Sequence, residues 1–226
     1  MTTSCDLAAP NDIHAYLVDR FNLALRRPGA FGGESALRML LDHLLFVERR
    51  PEVWAEEQEG FERRGAWSAL GAQGAFVSLL PRDHGDSTAS VYAEMAHRRG
   101  WLTADHVLDP AAYARVCGSV REWARRDRVW SDIVAEYGPP SVLCGGTNPL
   151  YGKTLGYLTE SPSEPMVFFH LWNGTDPASG QSWPPDHPEP LLLAVRHGDG
   201  AFADTFTFTP EGRHRRPAPH PSPFSQ

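Results

Sequence analysis

The apolar positions of the chain recur at two different periods. After Asn11 and Asp12, residue types that cap helices, Ile13, Leu17, Phe21 and Leu25 fall every four residues and stop at Arg26-Arg27-Pro28-Gly29. From Glu34, Leu37, Leu40, Leu41, Leu44 and Leu45 follow the spacing of one wide apolar stripe, and Pro51 opens a third helix carrying Val53, Trp54 and Phe61. Gly65 to Pro81 is apolar but broken by Gly65, Gly71 and Gly74, which predicts a short helix or loop pressed on the core. A helix from Asp86 or Ser87 buries Val91, Tyr92 and Met95 and ends at Gly100. Asp109-Pro110 reads as a cap followed by a first-turn proline, with Tyr113, Val116, Cys117, Val120, Trp123 and Ala124 on one face. A short helix, Val129 to Tyr137, closes at Gly138-Pro139-Pro140.

Beyond that point the period falls to two. Ser141 to Cys144, Thr154 to Thr159, Met166 to Trp172, Leu191 to His197 and Phe202 to Thr209 are strand-length runs between Gly, Pro, Ser and Asp clusters. The last alternates most cleanly, with Phe202, Phe206 and Phe208 on one face, and Gly198-Asp199-Gly200 predicts a tight hairpin before it. Helices followed by strands, with no βαβ alternation, predict an α+β fold. In it an N-terminal helical layer covers one face of a C-terminal antiparallel sheet of about four to five strands. The expected organisation is a flexible stretch at 1–10 and a single domain over 11–210, helical over 11–138 and β over 141–209. The polar, Pro-rich residues 211–226 are expected to be disordered. The segment 174–190 is too long for an ordinary hairpin loop and carries Trp183, so a functional loop is expected there.

Composition narrows the function classes. A hydrophobic share of 41% over 226 residues suffices for a core, while a net charge of −7 argues against nucleic acid or an anionic membrane as the dominant partner. Three widely spaced cysteines indicate neither a disulfide framework nor a cysteine zinc site, so a reducing cytoplasm is expected. The start, MTTSCDLAAP, has no basic stretch or apolar run, and no long apolar segment follows, so neither secretion nor membrane spanning is expected. Arg, Ala, Pro and Gly in excess of Lys fit a GC-rich bacterial coding sequence.

The stretch GGTNPLYGKT, residues 145 to 154, raises the question of a phosphate-binding loop. It departs from G-x-x-x-x-G-K-[ST] because Thr147, not a glycine, stands five residues before Gly152, and Pro149 removes an N–H donor. The strand-like residues after Lys153 also leave no room for the helix whose N-terminus would face the phosphates. A Gly-rich connection with an Asn148-Pro149 turn is the alternative. Cys144 at a strand end, Lys153 close behind it and His170 on a neighbouring strand are candidate catalytic residues, since a histidine near a thiol can activate it. A buried apolar cysteine and a hydrogen-bonded core histidine are the other readings of the same residues.

The segment RRPGAFGGE, Arg26 to Glu34, resembles the R-P-G-[MA]-[YF]-x-G stretch near the start of the type II topoisomerase ATPase domain. The resemblance covers this segment alone. That family also needs a helix bearing Glu and Asn and a D-x-G-x-G loop, and neither is present. No histidines stand in H-x-x-x-H or H-E-x-x-H spacing, although His170, His187, His197 and Asp199 could converge across a sheet. No metal site and no cofactor is therefore assigned. Arg121, Arg125, Arg126 and Arg128 end a helix whose dipole they complement, and Glu52, Glu56, Glu57, Glu59 and Glu62 give an acidic face suited to steering a basic partner. The expected function is a cytoplasmic bacterial binding or interaction protein that neutralises or regulates a protein partner. Trp183, Trp172, Asn148 and Tyr151 are its candidate contact residues. The alternative is a small-molecule enzyme with its site at the helix–sheet junction around Cys144, Lys153 and His170.

Overall fold

A computed structural model describes residues 8–81, 85–175 and 184–218. Helices come first, as α1 (Pro10–Arg26), α2 (Pro28–Phe31), α3 (Gly33–Val47), α4 (Val53–Arg64), α5 (Gly71–Phe76), α6 (Gly85–Arg98), α7 (Pro110–Trp123) and α8 (Trp130–Tyr137). The strands β1 (Val142–Cys144), β2 (Lys153–Tyr157), β3 (Val167–Trp172), β4 (Leu191–Arg196) and β5 (Phe206–Phe208) then pair in chain order as one antiparallel sheet. A helix α9 (Pro210–Arg215) follows. The α+β class expected from the change of period is the observed one. No helix among the described residues is long and apolar enough to cross a membrane.

Local chemistry explains the helix boundaries. The Asp109 carboxylate accepts the Ala112 N–H at 2.7 Å with Pro110 at the first helical position, and Leu37, Leu41, Leu44 and Leu45 of α3 are buried. Glu34 caps a helix that is not its own: its carboxylate accepts the Ala72 and Gln73 N–H groups at the start of α5, and the Tyr92 hydroxyl. Helix α6 is buried all round, from Ser87 to Ala96, which is why its sequence is built of small residues.

The sheet is covered on both faces, which corrects the expected single helical layer. Val142, Cys144, Phe168, Ala194 and Phe206 pack in one core with α1, α3 and α6, while Leu155, Tyr157, Val167, Phe169 and Val195 pack in a second with α7 and α8. The physical reason lies in β3 and β4, VFFHLW and LLLAVR, whose consecutive apolar residues supply two buried faces instead of one. The run from Phe202 to Thr209 is a second correction. Phe202–Thr205 forms a 3-10 turn, closed by the Thr205 hydroxyl donating to the Phe202 carbonyl at 2.6 Å, and only Phe206–Phe208 pair as a strand. Phe202 and Phe206 still share a core because both meet the Phe76 ring edge-on, so the alternation reflected burial without extension. No tight hairpin forms at Gly198–Gly200, since the 3-10 turn stands between β4 and β5.

The tail is ordered further than its composition suggested. Thr209 caps α9 by accepting the Gly212 N–H at 3.0 Å, and Gly212 lies so close to β4 that a Cβ would sit 1.8 Å from the Leu193 carbonyl oxygen. At the other end α1 begins at Pro10, a residue inside the expected flexible stretch.

One buried ion pair ties α6 to the sheet. Arg196 of β4 donates to Glu94 at 2.9 Å with side chains only 1% and 8% exposed, reaches Ser90, and lays its guanidinium over the Phe168 ring at 4.5 Å. Burial alone would push the Glu94 carboxyl up, but the Arg196 charge and hydrogen bond beside it hold it below its ordinary range. A depressed folded value means stability that is present above the unfolded carboxyl value, about pH 4.3, and lost as pH falls through the folded value. Glu94→Gln is expected to cost about 3–5 kcal/mol near neutral pH, because it leaves the Arg196 charge buried and uncompensated. Its stability is also expected to fall less steeply than that of the wild type below pH ~4.3, as urea unfolding across pH will read.

Candidate functional site

The C-terminus of α1 and the loop after β1 form one structure. The Arg26 carbonyl, at the end of α1, accepts the N–H groups of Gly145 and Gly146 at 3.0 and 3.1 Å. Its guanidinium, meanwhile, grips the Asp105 carboxylate at 2.6 Å. The two segments that stood out in the sequence, RRPGAFGGE and GGTNPLYGKT, are thereby joined. Gly145 adopts φ 114° and Gly146 φ 80°, a region L side chains avoid. The Asp86 carboxylate at the start of α6 sits directly on Gly145, where a Cβ would lie 2.2 Å from Oδ2. This contact accounts for Gly145, while Gly146 is called for by its backbone angle alone. The strand β2, starting at Lys153, leaves no helix for a phosphate loop.

A cleft of about 470 Å³ opens where these turns meet the end of β3. Arg27, Asp86, Ser87, Tyr151, Trp172 and Asn173 contribute its side chains, and Gly29, Gly85, Gly145, Gly146 and Gly152 leave much of its wall as bare backbone. Tyr151 is 47% exposed at its rim. The Asn173 amide donates to the Leu150 and His187 carbonyls at 2.8 and 2.9 Å, which binds the loop after β1 to the chain that follows β3.

The candidate catalytic residues do not converge. Sheet register pairs Cys144 with Thr154 and Thr154 with His170, so thiol and imidazole stand two strands apart, roughly 10 Å at ordinary strand spacing. Thr154 fills the gap, its hydroxyl 3.1 Å from His170 Nδ1. Burial, with Asp86 adding and Arg26 opposing, pushes the Cys144 thiol up to about 12. His170 packs among rings, stacked on Phe206 with centroids 5.6 Å apart. Both side chains therefore serve the core that α6 covers. Lys153, the chain's only lysine, points to the other face, donating to the Asn148 carbonyl at 2.7 Å and lying 3.9 Å over the Trp130 ring. Burial lowers it to about 8, against a raising influence of Asp86.

The candidate contact residues divide differently. Trp172 and Tyr151 both line the cleft, and Arg215 of α9 covers the Trp172 ring at 4.0 Å. Asn148 is a turn residue whose side chain accepts the Leu150 N–H at 2.9 Å. Trp183 lies outside the described residues. Sequence reasoning missed Arg27 and Asp86 as cleft residues, having read them only as a helix stop and a helix cap. The one signal available was Gly145-Gly146, since consecutive glycines mark a close backbone approach.

Part of each charged cluster is engaged within the protein. Glu57 sits between Arg98 and Arg99 at 2.8 and 3.1 Å, Arg125 meets Glu122 at 2.9 Å, and Arg128 lies over Trp123 at 4.7 Å. No three metal-ligating side chains gather among the described residues, and His170 and His197 face opposite cores. No family model, curated protein or solved structure matches the chain.

Gly145→Ala is expected to destabilise the protein by about 1–3 kcal/mol, because the new methyl must displace Asp86 and take a strained backbone angle. Gly118→Ala, in the middle of α7 with open space around its Cα, is expected to stabilise by about 0.5–1 kcal/mol. Urea unfolding of the two variants checks this; equal effects would mean that the Asp86 contact is not formed.

Proposed function

We propose that the protein is a binding protein of the cytoplasm that holds a short segment of a protein partner in the cleft between the Arg27–Ala30 turn, the start of α6 and the Gly145–Gly152 loop. The observation that carries this reading is the cleft itself. Its walls are fixed by backbone hydrogen bonds to Arg26 and opened by glycines, so its shape exists before a ligand arrives. A rigid, backbone-lined groove offers N–H and C=O groups to a polypeptide, while Tyr151 and Trp172 supply the aromatic surface on which binding energy concentrates. Arg27 and Asp86 give the groove both signs of charge, which favours a polar segment over an apolar one.

The second reading, a small-molecule enzyme, has one observation in its favour. An amine lowered to about 8, as at Lys153, holds a larger share of the nucleophilic free base near neutral pH than an ordinary lysine does. Its hydrogen bond to Asn148 and its seat on Trp130 hold it away from the cleft side chains, so the binding reading accounts for more of the site.

Selection of a displayed library of random short peptides on the immobilised protein tests the proposal. The wild type is expected to enrich a consensus sequence, and Tyr151→Ala to weaken those peptides by about 1–3 kcal/mol, or roughly 5- to 150-fold, with its melting temperature unchanged. Failure to enrich any peptide, or enrichment that Tyr151→Ala and Arg27→Ala both leave intact, would contradict it.

A further inference from the structure

A thiol–imidazole pair does form in this protein, away from the cleft and between two residues that no sequence motif connects. Cys117 of α7 places Sγ 3.3 Å from Nε2 of His197, the residue after β4. The His197 backbone N–H donates to the Thr205 carbonyl at 3.0 Å, which holds the main chain there, and the ring meets Tyr113 of α7 edge-on with centroids 6.4 Å apart. Tyr113, one turn earlier on α7, lies against the same thiol and donates its hydroxyl proton to the Pro165 carbonyl. Cys117 and His197 are each partly exposed, so a small molecule can reach the sulfur.

We propose that Cys117 is a site of thiol–disulfide exchange with small disulfides, with His197 as the base that takes its proton. In the step, Nε2 accepts the Sγ proton as the sulfur attacks one sulfur of the disulfide. The S–S bond of the reagent breaks, a new S–S bond to Cys117 forms, and the departing thiolate collects the proton from the imidazolium. Cys117 is oxidised to a mixed disulfide, and the departing half of the reagent is reduced to a thiol.

The surroundings suit a neutral pair that transfers its proton only during attack. Burial and the Arg121 guanidinium lower the His197 ring, with Arg196 adding and Asp199 opposing, so the ring is uncharged at neutral pH, and in its Nδ1–H tautomer Nε2 is the acceptor facing Sγ. Burial raises the Cys117 thiol, Tyr113 opposes this, and Glu164 adds to it, so the sulfur rests protonated. Cys144, with a fully buried sulfur, is the internal control.

The probe is 2,2′-dithiodipyridine, a neutral disulfide whose released thione absorbs light, applied to the full chain carrying Cys5→Ser. Rapid release of one thione per chain is expected, with peptide mass spectrometry placing the adduct on Cys117. His197→Gln is expected to slow that phase about tenfold or more at pH 7, while Cys144 stays slow in both proteins. On the unaltered Cys117–His197 pair, the rate should hold through neutral pH and fall on acidification below the ordinary histidine range, as the ring protonates. Labelling of Cys144 as fast as Cys117, equal rates with and without His197, or a rate that only climbs with pH like a free thiol would each overturn the proposal.

Discussion

The ion pair between Glu94 and Arg196 is the constraint on which the rest of the architecture depends. Two charges so deeply buried are tolerated only in mutual contact, so the rotation and height of α6 over the sheet are fixed wherever that contact is made. Ser, Ala and Thr over much of α6 present little relief for ridges and grooves, so the ion pair adds to Val91, Tyr92 and Met95 the contact that sets where the helix sits on the sheet. Arg196 also stacks on Phe168 and reaches Ser90, so one side chain joins β3, β4 and α6. The pair trades some stability for a unique register.

From that anchor the cleft follows geometrically. Glu94 lies near the far end of α6, and the residue eight positions before it, Asp86, stands about 12 Å away at the helical rise, at the edge of the sheet where β1 ends and β2 begins. There its carboxylate meets Gly145, and the Arg26 carbonyl holds the same loop from the side. The end of β3 with Trp172 and Asn173 closes the remaining wall. Three segments distant in sequence thus meet at one end of the sheet. A site so built is stiff, which lowers the entropy lost on binding and makes the wall sensitive to a Cβ added at Gly145 or Gly152.

Most of the helices were legible because their apolar stripes and caps are local properties: Leu37 to Leu45 and the Asp109-Pro110 start required no knowledge of the remainder of the chain. The meander was legible for the same reason, since short connections between apolar runs favour antiparallel neighbours. The second helical cover was harder to see. VFFHLW reads equally as a buried strand or as a patterned one if attention rests on Phe168, His170 and Trp172 alone, and only Val167, Phe169 and Leu171 between them point to a second buried face. The run from Phe202 to Thr209 misled because a 3-10 turn and a strand can both return phenylalanines to one core. The candidate site was half visible. Gly145-Gly146, Tyr151 and Trp172 were singled out, but the pairing of Cys144 with Thr154 depends on register, and the meeting of Cys117 with His197 depends on how α7 crosses β4, neither of which is encoded in any short stretch.

Helix α6 and the sheet are thus one cooperative unit fixed by the Glu94–Arg196 contact, with the cleft as its consequence. Native-state hydrogen exchange followed residue by residue in low urea measures this directly. The amides of Val91 to Arg98 in α6 and of Leu192 to Arg196 in β4 should exchange with one common free energy, equal to that of global unfolding. Exchange of α6 at a markedly lower free energy than β4 would show that the helix opens without breaking the sheet, and would contradict the account.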